Sequence, residues 1–97
     1  MLKKPEIMVV CGFGIGTSLI LKITLDKVLI AEGIEAKTFC ADEATARGHQ
    51  YDIVFTSNDM LRLFRGVEKP VVVIKNFLNE DEIREKGLEI IQSYTNN

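Results

Sequence analysis

Glu6-Ile7-Met8-Val9-Val10-Cys11-Gly12-Phe13-Gly14-Ile15-Gly16-Thr17-Ser18 is the stretch whose reading decides how this chain folds. A continuous apolar run of strand-forming residues reads as a central β-strand covered on both faces. Three alternating glycines follow it, able to take positive φ and to let backbone approach a ligand closely. Thr17 and Ser18 are residues of the kind that cap a helix, and a long apolar helical pattern begins there. A strand that hands over to a helix through glycines presents backbone N–H groups at the positive end of a helix dipole, a cradle suited to an anion. Cys11 stands at the hand-over. The same field favours thiolate over thiol, so the reading expects a lowered pKa and a nucleophilic Cys11.

Outward from this stretch, Leu19 to Ile30 reads as a helix with Ile20, Ile23 and Val28 on its apolar side, Lys22, Asp26 and Lys27 left for solvent, and Gly33 closing it. Ile34 to Cys40 alternates, with Ile34, Ala36, Thr38 and Cys40 on a drier face, which is the pattern of an edge strand. Asp42 caps a short helix that Gly48 ends. Tyr51 to Ser57 is a third strand, Ser57 or Asn58 caps a short helix through Phe64, and Gly66 stops it. Val71 to Ile74 is a fourth strand, entered after Pro70, where a missing N–H does least harm. Asn79, Glu80, Asp81 and Glu82 mark the start of a last helix with Ile83, Gly87, Leu88, Ile91 and Tyr94 on its core face.

Four strands alternating with helices imply parallel β-α-β units with right-handed crossovers. The expected fold is α/β: a four-stranded parallel sheet in the order 2-1-3-4 with helices on both faces, a trimmed flavodoxin-like, Rossmann-like arrangement over residues 1–97 as one domain. Ligands of such sheets bind beyond the carboxyl ends of the strands at the topological switch, here between strands 1 and 3. Cys11 falls at that edge.

The bulk composition narrows the function classes. A net charge of −2 with no basic run argues against a nucleic-acid partner. Charged residues interrupt every apolar stretch before it reaches the roughly 20 residues of a membrane span. No secretory signal pattern opens the chain, which fits a cytoplasmic protein. Two cysteines do not make a disulfide framework or a zinc site, so no metal and no cofactor are expected.

Other reactive side chains have plainer readings. His49 precedes strand 3 and belongs at the amino edge, away from Cys11, as a surface or structural residue. Cys40 ends strand 2 beside strand 1 and is a core residue first, a resolving thiol second. Asp59 and Asp81 follow strands 3 and 4 and read as helix N-terminal residues. Phe13, Ile15 and Leu19 in or beside the loop form a candidate apolar docking patch.

The glycine spacing does not fit the dinucleotide-binding fingerprint. Instead, Cys11-Gly-Phe-Gly-Ile-Gly-Thr-Ser with Leu19-Ile20-Leu21-Lys22 resembles the phosphocysteine loop of enzyme IIB components of the bacterial sugar phosphotransferase system (PTS), in particular the ascorbate and galactitol types. The resemblance is sharpest over residues 7 to 29. It implies a sugar-transport phosphotransferase in which Cys11 takes a phosphoryl group from a phosphohistidine on a IIA protein and gives it to a sugar held by a membrane IIC permease. It also implies recruitment to the inner face of the membrane by that permease. Gly12, Phe13, Gly14, Ile15, Gly16, Thr17 and Ser18 would form the phosphate-binding loop, their N–H groups and two hydroxyls facing three phosphoryl oxygens. The same architecture resembles low-molecular-weight tyrosine phosphatases and arsenate reductases, whose loop is Cys-x5-Arg-Ser. Thr17 occupies the arginine position here, so the bidentate clamp of those hydrolases is missing. A third alternative is a non-enzymatic phospho-regulatory module that keeps the loop without the relay.

Overall fold

A computed structural model describes residues 4–11 and 15–95, Ile15 by its backbone alone. Strand β1 (Glu6–Val10) runs through the middle of a four-stranded parallel sheet ordered β2-β1-β3-β4, with β2 at Lys37–Ala41, β3 at Ile53–Thr56 and β4 at Val71–Val73. This is the expected order. Ile7 to Val10 are fully buried because helices cover both faces of β1. Alternation along β1 and β3 divides the core in two. Ile7, Val9, Cys11, Ile53 and Phe55 pack with Leu21, Leu25, Val28 and Leu29 of helix α1 (Ile15–Ala31) and with Ile83 and Ile91 near the C-terminus. Met8, Val10 and Val54 pack on the other face with Ala46 of α2 (Glu43–Gly48) and with Met60 and Phe64 of a 3₁₀ helix (Asn58–Phe64).

Helix α1 departs from the sequence reading in two ways. It begins at Ile15, so Thr17 and Ser18 lie inside its first turn instead of capping it, and Gly16 does not take a positive φ. Its buried stripe is Ser18, Leu21, Thr24, Leu25, Val28 and Leu29, whereas Ile20 and Ile23 are about half exposed (45% and 48%). The helix is apolar on almost every side, so periodicity alone does not single out a core face. Asp26 is not simply solvated: it pairs with Lys22 Nζ at 2.8 Å and accepts the Thr38 hydroxyl at 2.7 Å, tying α1 to β2.

Other local stop and start signals, at Gly33, Asp42, Gly66 and Asn79, hold. Gly33 and Gly66 take φ of +69° and +78°, ending α1 and the 3₁₀ helix region in conformations that side-chain-bearing residues rarely adopt. Asp42 accepts from Thr45 N at 2.7 Å and Asn79 from Glu82 N at 3.1 Å, each capping as expected. The last helix is composite: α3 (Glu80–Ile83), a π-helical turn (Arg84–Leu88) and α4 (Glu89–Thr95). Gly87 in the π turn lies so close to β3 that a Cβ there would stand 2.5 Å from Phe55 Cζ, which explains a glycine in mid-helix. Leu88, expected on the core face, is only half-buried, while Ile83, Gly87 and Ile91 are buried.

Candidate functional site at the carboxyl edge of β1 and β3

The site begins where β1 runs out. Cys11 follows Val10 directly and is 4% exposed, packed among the residues of the α1 face. Four residues later α1 starts, 17 residues long, with no acidic residue in its first turn. N–H groups of a first helical turn have no acceptor within the helix, and the dipole adds positive potential there. The chain thus sets a buried thiol beside an electropositive helix start that carries no carboxylate of its own.

The reading of Cys11 as an activated thiolate needs correction. Burial pushes the thiol up, the neighbouring Cys40 adds to the effect, and the pKa rises to about 11. An anion on sulfur at this position loses more hydration than it regains, so the resting group is the thiol. The expectations for Gly12, Phe13 and Gly14, and for the Ile15 side chain, lie outside the described residues. Of the remaining loop positions, Gly16 is exposed with open space around it, Thr17 is half-buried and Ser18 is fully buried.

The sheet brings two hydroxyl residues to the same edge. Thr56 pairs in register with Val10, and its Oγ1 donates to Val10 O at 2.7 Å, clamping the ends of β1 and β3 together. Ser57 comes next, 7% exposed, at the N-terminal boundary of the 3₁₀ helix, yet its side chain makes no capping hydrogen bond. The sequence reading makes Ser57 the last residue of strand 3 and a candidate cap, with no part in the site. The signal that could have found it is parity, since Ser57 continues the Ile53 and Phe55 series that faces α1.

The other reactive residues stay away from the thiol or serve the fold. Cys40 pairs in register with Val9 and is half-buried, close enough to influence Cys11 electrostatically. His49 ends α2 at the amino side of β3, stacked on Phe39 at 4.5 Å between ring centroids, with Nδ1 2.8 Å from Gln50 O. Asp59 is exposed, and the Asp81 side chain is 95% exposed and 3.5 Å from Arg84 Nη1. Leu19, Ile20 and Ile23 leave an exposed apolar strip on the first half of α1, beginning beside the site. Among the described residues no helix is long and apolar enough to cross a membrane, and no group of three or more acidic, histidine or cysteine side chains forms a metal cluster.

Comparison with known proteins bears on the chain as a whole. The family described as "PTS system, Lactose/Cellobiose specific IIB subunit" matches residues 6–88. An ascorbate-specific PTS system EIIB component of Mycoplasma pneumoniae is 30% identical over 86 residues, covering 86% of this chain and 90% of that protein. The lactose-specific IIB component domain of Streptococcus pneumoniae superposes with a TM-score of 0.65 at 14% identity, over 95% of this chain and 98% of that one, a likeness of fold.

Proposed function

Because this chain belongs to the IIB subunit family of sugar phosphotransferase systems, and is a phosphotransfer component of such a system, we propose that Cys11 is its phosphoryl carrier. In the first step the Cys11 sulfur attacks the phosphorus of a phosphohistidine on a IIA protein. The S–P bond forms as the N–P bond breaks, and the thiol proton passes to the departing imidazole nitrogen. In the second step a sugar hydroxyl on a membrane IIC protein attacks phosphorus, the S–P bond breaks, and the hydroxyl proton returns to sulfur. No proton is left over in either step, so a thiol that rests protonated is compatible with the relay. Thiolate is the form that alkylating and oxidising agents attack, so the same burial protects the carrier between turnovers.

One observation carries the reading: the buried Cys11 ends the strand at the topological switch, immediately before a long helix whose first turn lacks any carboxylate. The loop from Gly12 to Ser18 is proposed to supply the donors for the phosphoryl oxygens, with residues 1–97 acting as one IIB-type domain. The exposed strip of Leu19, Ile20 and Ile23 is proposed to receive the IIA donor, since the phosphohistidine must reach the adjacent loop. An ascorbate- or galactitol-like sugar is favoured by the ascorbate-specific relative. The reaction then belongs on the cytoplasmic side, at the inner face of the membrane where the permease offers its sugar. The hydrolase alternative loses support because Thr17 replaces the clamping arginine and because Asp59 and Asp81 are exposed, without the burial that would keep a general acid protonated.

The test is intact mass after incubation with a phosphorylated ascorbate-type IIA protein. Wild type should gain one phosphoryl group that persists in the absence of the permease, and Cys11→Ser should fold and gain none at that site. Undiminished phosphorylation of Cys11→Ser would refute the assignment. Rapid Cys11-dependent hydrolysis of p-nitrophenyl phosphate, near the roughly 10 s⁻¹ of a typical enzyme, would favour the hydrolase instead.

A further inference from the structure

The side chain of Ser57 is out of keeping with the rest of the core. Its Oγ is buried with no hydrogen-bond partner among the described residues, although the residue is only 7% exposed. The other buried hydroxyl on β3, that of Thr56, is satisfied by Val10 O. A hydroxyl held out of water without a partner costs stability, typically about 1–3 kcal/mol, and is uncommon in native interiors. A place at the start of a helix would ordinarily explain a serine, but the capping bond is not made.

The position of Ser57 supplies an explanation. Val10 and Thr56 are register partners, so Cys11 and Ser57 are the next cross-strand pair. Neighbouring strands lie about 4.8 Å apart. Ser57 keeps an extended backbone (φ −92°, ψ 163°), so the alternation of β3 continues through it. Its side chain therefore falls on the face of Ile53 and Phe55, which is also the face on which Cys11 packs. An unsatisfied donor thus sits beside the sulfur, on the sulfur's side of the sheet.

We propose that Ser57 is a phosphoryl-positioning residue whose hydroxyl donates to an oxygen of the group carried on Cys11. The inference rests on Cys11 being the carrier. In the unphosphorylated protein the hydroxyl waits unpaired; in the phosphorylated protein it gains a charged acceptor, a stronger kind of hydrogen bond than a neutral one. Ser57 would then hold the carried group from β3, the strand next to β1 at the same sheet edge.

The experiment compares full-length wild type with Ser57→Ala, Ser57→Thr and Ser57→Val, each offered a phosphorylated ascorbate-type IIA protein. Thr and Val share one shape and suit an extended backbone, and they differ in the hydroxyl. Unphosphorylated Ser57→Ala should melt at or above the wild-type temperature, since it loses an unpaired buried group. Its initial rate of phosphoryl acceptance, read by intact mass, should fall by about tenfold, the worth of one hydrogen bond to a charged oxygen. Ser57→Thr should accept faster than Ser57→Val by a similar factor, a comparison that holds even if Ser57→Ala fails to fold. Equal rates for Thr and Val, or wild-type acceptance by a folded Ser57→Ala, would overturn the role of Ser57 while leaving Cys11 as carrier. A wild-type protein that takes up no phosphoryl group at Cys11 would overturn both.

Discussion

β4 and β1 end at the same edge of the sheet, yet the helices that follow them bring different charge to it. After β4, Glu82 reaches back from α3 and accepts from Lys75 N at 2.7 Å and Asn76 N at 2.9 Å, while Lys86 Nζ holds the same carboxylate at 2.6 Å. Burial works to raise the pKa of that carboxyl, but the two backbone donors and the lysine outweigh it and bring it to about 2. After β1 the neighbouring helix carries no acidic residue in its first turn, and Cys11 at the strand end is a thiol that burial keeps neutral. One corner supplies its own anion and is closed; the other brings no carboxylate in the first turn of its helix, which suits the phosphoryl group proposed for it. The fold and the proposed function thus draw on the same helix-start physics, and the placement of a single carboxylate separates them.

The largest expected effect that sharpens this contrast concerns Cys11 itself. In a Cys40→Ser background, alkylation by iodoacetamide should remain slow at neutral pH and rise toward a midpoint well above the ordinary thiol value of about 8.5. With both cysteines present the Cys11 midpoint should lie near 11. At pH 7 this means a thiolate population roughly two orders of magnitude below that of a free cysteine. A midpoint below the ordinary value would mean that the helix field outweighs burial, and the corner would be a preformed thiolate site after all.

A smaller effect belongs to the closed corner. Glu82→Gln should lower stability by about 1 kcal/mol, the usual worth of a side-chain cap on backbone N–H groups, with phosphoryl acceptance unchanged. The folded-state pKa is depressed, so the stabilisation is fully present above the ordinary value of 4.5 and fades as pH falls toward about 2. Acid titration of the melting temperature should therefore show a shallower loss in Glu82→Gln than in wild type over that window. Parallel curves would show that the carboxylate contributes nothing to closing the turn.

The smallest effect lies at the opposite edge of the sheet. His49→Ala should leave phosphoryl transfer within about twofold of wild type, because the ring stacks on Phe39 and bonds Gln50 O far from the carboxyl ends of the strands. Loss of the stack should cost about 1 kcal/mol at most. A large loss of transfer in a folded variant would bring the amino edge into the chemistry and undo the contrast between the two edges.

The sequence by itself determined the sheet order, the place of Cys11 after the first strand and several of the points where helices start and stop. These depend on near neighbours: continuous apolar runs for covered strands, glycines at positive φ after helices, and Asp42 and Asn79 as caps. The tertiary structure alone decided which side of α1 is buried, because a helix apolar all round carries no single stripe and the choice falls to what β1 and β3 offer. It alone decided the state of the Cys11 thiol, because desolvation depends on how completely distant residues enclose the sulfur, a quantity with no local sequence signature. The pairing of Ser57 with Cys11 is likewise tertiary. The two are 46 residues apart in the chain, as are Val10 and Thr56, and only the β1–β3 register makes them neighbours.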